Sequence, residues 1–193
     1  MPPKAKFTKT EIIEAATEIV RNKGLEALTS RALGILLGSS ARPIFTVFQN
    51  MDEVQQAVID SAKALYKKYV DKGLTHEHPF KGVGMQYILF SVNEPKLFQL
   101  LFMTEQRQIP ELSGILPLIE ESYEEILLSI QDDYGISRLL AEKLYRHLWV
   151  YTHGIATLCA TKMCYFTDTE INTMLTEVCT SILKNIKEHK SYD

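Results

Sequence analysis

Apolar positions recur every three to four residues along most of the chain, and no stretch alternates in the manner of a strand. Ile12, Ala15, Ala16, Ile19 and Val20 share one face and predict a first helix. It starts near Thr8 or Thr10, since Thr8 with Glu11 makes a capping-box pattern. It stops at Asn22-Lys23-Gly24, with the glycine as a left-handed cap. Thr29 caps a second helix carrying Leu33, Leu36 and Leu37, which Gly38 ends. Ser40 caps a third, with Pro43 in its first turn, where a missing N–H costs little, and Ile44 and Phe48 pointing inward. Asp52 starts a fourth helix through Val54, Val58, Ala62, Leu65 and Tyr69 to Asp71, where Lys72-Gly73 breaks it.

The polar segment 73–79 reads as a loop. Beyond it the spacing predicts helices over Phe80–Val92, from Pro95 through Met103, from Pro110 and Pro117 to Gly135, from Ser137 towards Tyr165, and from Thr167 or Asp168 to Glu188. The expectation is an all-α fold of about nine or ten helices. A small head over 1–50 would precede a larger helical body over 51–193.

Residues 29–48, TSRALGILLGSSARPIFTVF, carry the most specific pattern: helix, glycine turn, helix. In a helix-turn-helix the second helix enters the major groove of DNA. Arg42 at its N-terminal end is placed to reach a base edge, guanine above all, or else a phosphate. Ser39 and Ser40 can bond phosphate, and Ser40 can cap as well. Thr46 and Gln49 on the outer face can donate to phosphate or base, and Phe45 either touches a thymine methyl or joins the core. Thr29 and Arg31 can clamp the backbone.

The charge distribution agrees. The net charge is -3, yet residues 1–50 hold seven Lys/Arg against four Glu, leaving fourteen against twenty in the remainder. A basic module on an acidic body is what a chain needs if only the module is to meet phosphate. Hydrophobic residues make up 46% and charged residues 23%, as in an ordinary globular protein. The first residues lack the apolar core of a signal peptide, and no run approaches the ~18 apolar residues of a membrane span. With three cysteines and no C-x-x-C pair, reduced thiols and a cytoplasmic location are expected.

The head resembles the TetR family of bacterial transcriptional regulators. The likeness rests on IIEAATEIVRNKGLEALTSRALGILLG, then SSARPIFTVF, then NMDEV opening the fourth helix. WVYTHGIA is similar to a Trp-x-x-x-His-Gly element of some members. The resemblance implies a three-helix DNA-binding head, a linking fourth helix, and a body that binds a small effector and dimerises through its last two helices. The chain departs from the family at Ala41, where Lys or Arg is common, at Phe45 for Tyr, Val47 for His and Met51 for Lys. Phe45 and Met51 cannot make the phosphate bonds of Tyr and Lys. The basic arm of Lys4, Lys6 and Lys9 is a candidate to supply contacts instead.

The body is rich in aromatics. Tyr87, Phe90, Phe98, Phe102, Met103, Tyr123, Tyr145, Trp149 and His153 are candidates to line an effector pocket, plain core packing being the alternative for each. Gly154, Ala156 and Ala160 form a small-residue stretch. With Ile171, Met174, Leu175, Val178, Ile182, Leu183 and Ile186 of the last helix they predict a dimer interface. His147, His153 and Cys159, or His76 and His78, lack dependable metal-ligand spacing, so no metal or other cofactor is expected. Cys159 and Cys164, five apart, would diverge on a helix and form no internal redox pair. Glu120-Glu121 with Glu124-Glu125, and Asp132-Asp133, read as solvated faces. With no nucleophile elbow or phosphate loop, an enzyme is not expected. The resulting expectation is a homodimeric, effector-responsive regulator, most simply a repressor, on a near-palindromic DNA operator. The alternatives are a helical small-molecule binder with a head that has lost DNA, and a helical enzyme working in the body pocket.

Overall fold

A computed structural model describes residues 6–105 and 109–189. Their regular secondary structure is entirely helical, with no strand among the described residues. Nine α-helices occur among them: α1 (Lys9–Lys23), α2 (Ser30–Leu36), α3 (Met51–Leu74), α4 (Pro79–Asn93), α5 (Pro95–Phe102), α6 (Ile115–Ile119), α7 (Tyr123–Tyr134), α8 (Arg138–Ala160) and α9 (Asp168–His189). None is long and apolar enough to cross a membrane.

Local signals set most boundaries. Thr8 Oγ1 accepts the Glu11 amide at 3.2 Å, and the Glu11 carboxylate accepts the Thr8 amide at 2.7 Å, so the capping box forms as expected. Thr167 and Glu170 repeat it at α9. Gly24 ends α1 at φ 85 and ψ 170, an extended positive-φ conformation rather than the expected left-handed helical one.

The chain forms two compact units. The first is Met1–Tyr66 with Glu94–Thr104, the second Lys67–Asn93 with Glu105–Asp193. The division falls inside α3, not at the expected 50/51 junction, and the first unit reclaims α5 from later in the chain. In this unit α5 packs on α1, and Arg21 Nε donates to Glu94 Oε2 at 2.8 Å beside it. Ile12, Ala16, Val20, Leu33, Ile44, Val54, Val58, Leu97 and Phe98 are fully buried here. In the second unit α4 is the central element, packed on α7, α8 and α9. None of its residues from Phe80 to Ser91 is exposed.

Three other boundaries differ from the sequence pattern. First, α3 runs through Gly73 to Leu74. Glycine mid-helix costs only about 0.5–1 kcal/mol, and here it lets α4 approach. A Cβ on Gly73 would lie 2.7 Å from both Val83 N and Cα. Second, the helix expected from Pro110 and Pro117 to Gly135 is two. Glu120 takes an extended backbone, is 7% exposed, and its carboxylate accepts the Ser122 amide at 3.1 Å. That bond satisfies an orphan donor at the start of α7. Glu120 is therefore no solvated face. Third, α8 stops at Ala160, short of Tyr165.

Candidate nucleic-acid interface and polar core of the body

Thr29 Oγ1 accepts the Ala32 amide at 3.1 Å and starts α2, with Arg31 exposed on its first turn. Gly38, at φ 61, turns the chain after α2, and the Ser39 amide returns to Gly34 O at 2.8 Å. The return strand lies close against the helix. A Cβ on Gly34 would sit 3.0 Å from Ser39 O and Ser40 C.

The expected third helix is not formed. Ile44–Thr46 makes a single 3-10 turn, and no side chain caps it, Ser40 included. Pro43 has no amide and disfavours α geometry at Arg42. Ile44, Thr46 and Val47 are β-branched. Thr46 Oγ1 donates to Pro43 O at 2.6 Å, competing with a helical ladder. The turn is still anchored as the pattern predicts, since Ile44 is fully buried and Phe48 2% exposed.

That anchoring presents Ser40, Arg42, Phe45, Thr46 and Gln49 to solvent, with Ser39 and Ala41 half-buried beside them. Phe45, at 44% exposure, is not core. Lys6 reaches the turn and donates from Nζ to Ser39 Oγ at 3.1 Å. Lys4 lies outside the described residues. With its proton engaged on Pro43 O, Thr46 is left to accept a hydrogen bond, not to donate one to phosphate as expected. Ile35, 69% exposed, and Leu36, 46% exposed, also stand on the surface of α2, although the apolar spacing grouped Leu36 with Leu33 and Leu37.

The nine candidate pocket residues are divided between the two units. Phe98, Phe102 and Met103 belong to the first unit, where Phe98 is fully buried and packs 5.2 Å from the Phe102 ring while Met103 is exposed. The other six belong to the second unit. There, Tyr87 Oη on α4 meets His153 Nδ1 on α8 at 2.9 Å. Trp149 stacks on His153 with centroids 5.2 Å apart. Tyr123 stacks on Tyr145 at 5.7 Å, and Phe90 meets Tyr69 edge-on at 5.2 Å.

Burial holds this core neutral. It pushes the Tyr87 phenol well above its ordinary range, against Trp149, which acts the other way. It does the same to Tyr145, where the nearby Glu120 charge adds to the effect. It lowers the pKa of His153, favouring the uncharged ring. Gln86 Oε1 on α4 and Thr157 Oγ1 on α8 are buried without a hydrogen-bond partner. A lone glutamine within Met85-Gln86-Tyr87-Ile88-Leu89-Phe90 was the one sequence signal for this feature. The described residues hold no group of three or more metal-ligating side chains.

Fold and head together define an all-α chain that displays a helix, a glycine turn and a short helical turn from its first unit. The fold is shared with a transcriptional regulator from Rhodococcus sp. Rha1, at a TM-score of 0.63 and 15% identity, covering 92% of this chain and 97% of that one. At that identity the likeness establishes common architecture. No family model and no curated protein matches the chain.

Proposed function

We propose that the chain is an effector-responsive DNA-binding transcriptional regulator of the TetR type, acting as a homodimeric repressor. One observation carries the reading: Ile44 and Phe48 anchor the turn after α2 in the core, while Ser40, Arg42, Thr46 and Gln49 stand exposed around it. Arg42 is the base reader in this reading, while Lys6, Thr29, Arg31 and Ser39 serve phosphates. The Rhodococcus protein of the same fold, itself a transcriptional regulator, supports the assignment.

The effector seat in this reading is the neutral polar core of the second unit, around Tyr87, Trp149 and His153. The unmatched Gln86 and Thr157 oxygens support it, because buried polar atoms without partners are rare and a ligand can satisfy them. An effector that binds one state of the dimer better by about 1–3 kcal/mol changes DNA affinity about 5–150-fold. The dimer would use α8 and α9. Ala156 and Ala160 are buried in their own chain, so the outward face of α8 is built on Val150, 52% exposed, and Gly154.

The test is binding to DNA flanking the protein's own gene at two salt concentrations, with Arg42→Ala alongside. Specific binding that weakens with salt and disappears in the variant supports the reading. A second reading, a small-molecule binder whose head no longer holds DNA, is favoured by the 3-10 turn and by Phe45 and Met51. Absence of specific binding at both salts decides for it.

A further inference from the structure

The end of α8 reverses in a way that the linear spacing of the cysteines conceals. Lys162 takes a left-handed φ of 57, and the Lys162 and Met163 amides return to Cys159 O and Leu158 O at 3.0 Å each. The Cys164 amide also faces Leu158 O, at 3.4 Å. The turn thus brings the backbone of Cys164 back to the carbonyl of the residue that precedes Cys159. The divergence of residues five apart applies only inside a continuous helix, and α8 has ended by Ala160. Cys164 is exposed, Cys159 is half-buried, and both are free thiols. Burial raises the Cys159 pKa, and the charge of Cys164 raises it further. Cys179 is engaged elsewhere, with Sγ 3.7 Å from Tyr134 Oη.

We propose that Cys159 and Cys164 are a peroxide-oxidisable thiol pair that closes an internal disulfide across the C-terminal turn of α8. The exposed Cys164 meets the oxidant first. Its thiolate attacks a peroxide oxygen; the S–O bond forms, the O–O bond breaks, and the departing hydroxide takes a proton to become water. The Cys159 thiolate then attacks the Cys164 sulfur; S–S forms, S–O breaks, and the second hydroxide leaves as water. Two thiols are oxidised and one peroxide is reduced. The bond requires α-carbons about 4.4–6.8 Å apart, a separation the turn must adopt on closure. Closure ties the segment leading into α9 to the end of α8. This site stands whether or not the head binds DNA.

The experiment treats the full chain with hydrogen peroxide, blocks remaining thiols, and digests with trypsin without reduction. Trypsin cuts after Lys162, between the two cysteines, so a disulfide holds together two peptides that otherwise separate. Because the second peptide runs to Lys184 and contains Cys179, the digest is repeated on Cys179→Ser. The expected result is loss of two of the three thiols, with the linked peptide pair retained in Cys179→Ser and absent in both Cys159→Ser and Cys164→Ser. Three thiols persisting, oxidation to sulfinic acid without linkage, a bond that needs Cys179, or a bond only between two chains each overturns the proposal.

Discussion

His153 is half-buried between Trp149 and the Tyr87 hydroxyl. Its folded pKa lies below the ordinary 6.5 because burial penalises the charged form. The unfolded chain therefore binds the proton more readily, and stability is full above pH 6.5 and lost as pH falls from there towards the folded value. Urea unfolding at stepped pH should show this decline, and His153→Gln should flatten it. An unchanged profile in the variant would place the titration elsewhere. Aromatic positions were legible from helical spacing, but the partnership of Tyr87 with His153 was not. It depends on α4 and α8 bringing together residues 66 positions apart in the chain.

At the level of elements, caps and crossings set the geometry. Glu11 and Glu170 have lowered pKa values, each chiefly through a backbone hydrogen bond, from Thr8 and Thr167. A carboxyl lowered on folding contributes stability above its unfolded pKa and loses it as pH falls through the folded one. Helix content measured by circular dichroism should therefore drop in acid, and Glu11→Gln with Glu170→Gln should lessen the dependence. Where α3 meets α4, Gly73 faces Val83 and Gly82 faces the Gly73 carbonyl and His76. Gly73→Ala and Gly82→Ala each force backbone apart and should cost about 1–3 kcal/mol in denaturant unfolding; a midpoint at or above wild type would show that the crossing yields. Both capping boxes could be read from Thr-x-x-Glu spacing because the signal is local. Gly73 was misread as a breaker because a close crossing leaves the same glycine signature as a helix end. The third helix was misread because the sequence supplies a cap residue, Ser40, and the anchors Ile44 and Phe48, while Pro43 and three β-branched residues weigh against a helix and Ser40 makes no cap.

For the whole molecule, the proposed dimer makes a sharp prediction. Val150→Glu places a charge on the outward face of α8 without entering the core, and should turn a dimer into a monomer by sedimentation while leaving helix content intact. If the wild type already sediments as a monomer, the interface is elsewhere or absent. Fold class was legible because helical periodicity runs the length of the chain. The division into units was not, since α3 crosses it without any change in composition. Its first unit also draws Leu97 and Phe98, both fully buried, from beyond α4. This ordering matters while the protein is being made. A nascent chain that has released only α1, α2 and α3 has the surface proposed for DNA but lacks Leu97 and Phe98, which complete its interior. At about 5–20 residues per second, the head stays unfinished for seconds until α5 leaves the ribosome, and a fragment cut at residue 66 would remain in that unfinished condition.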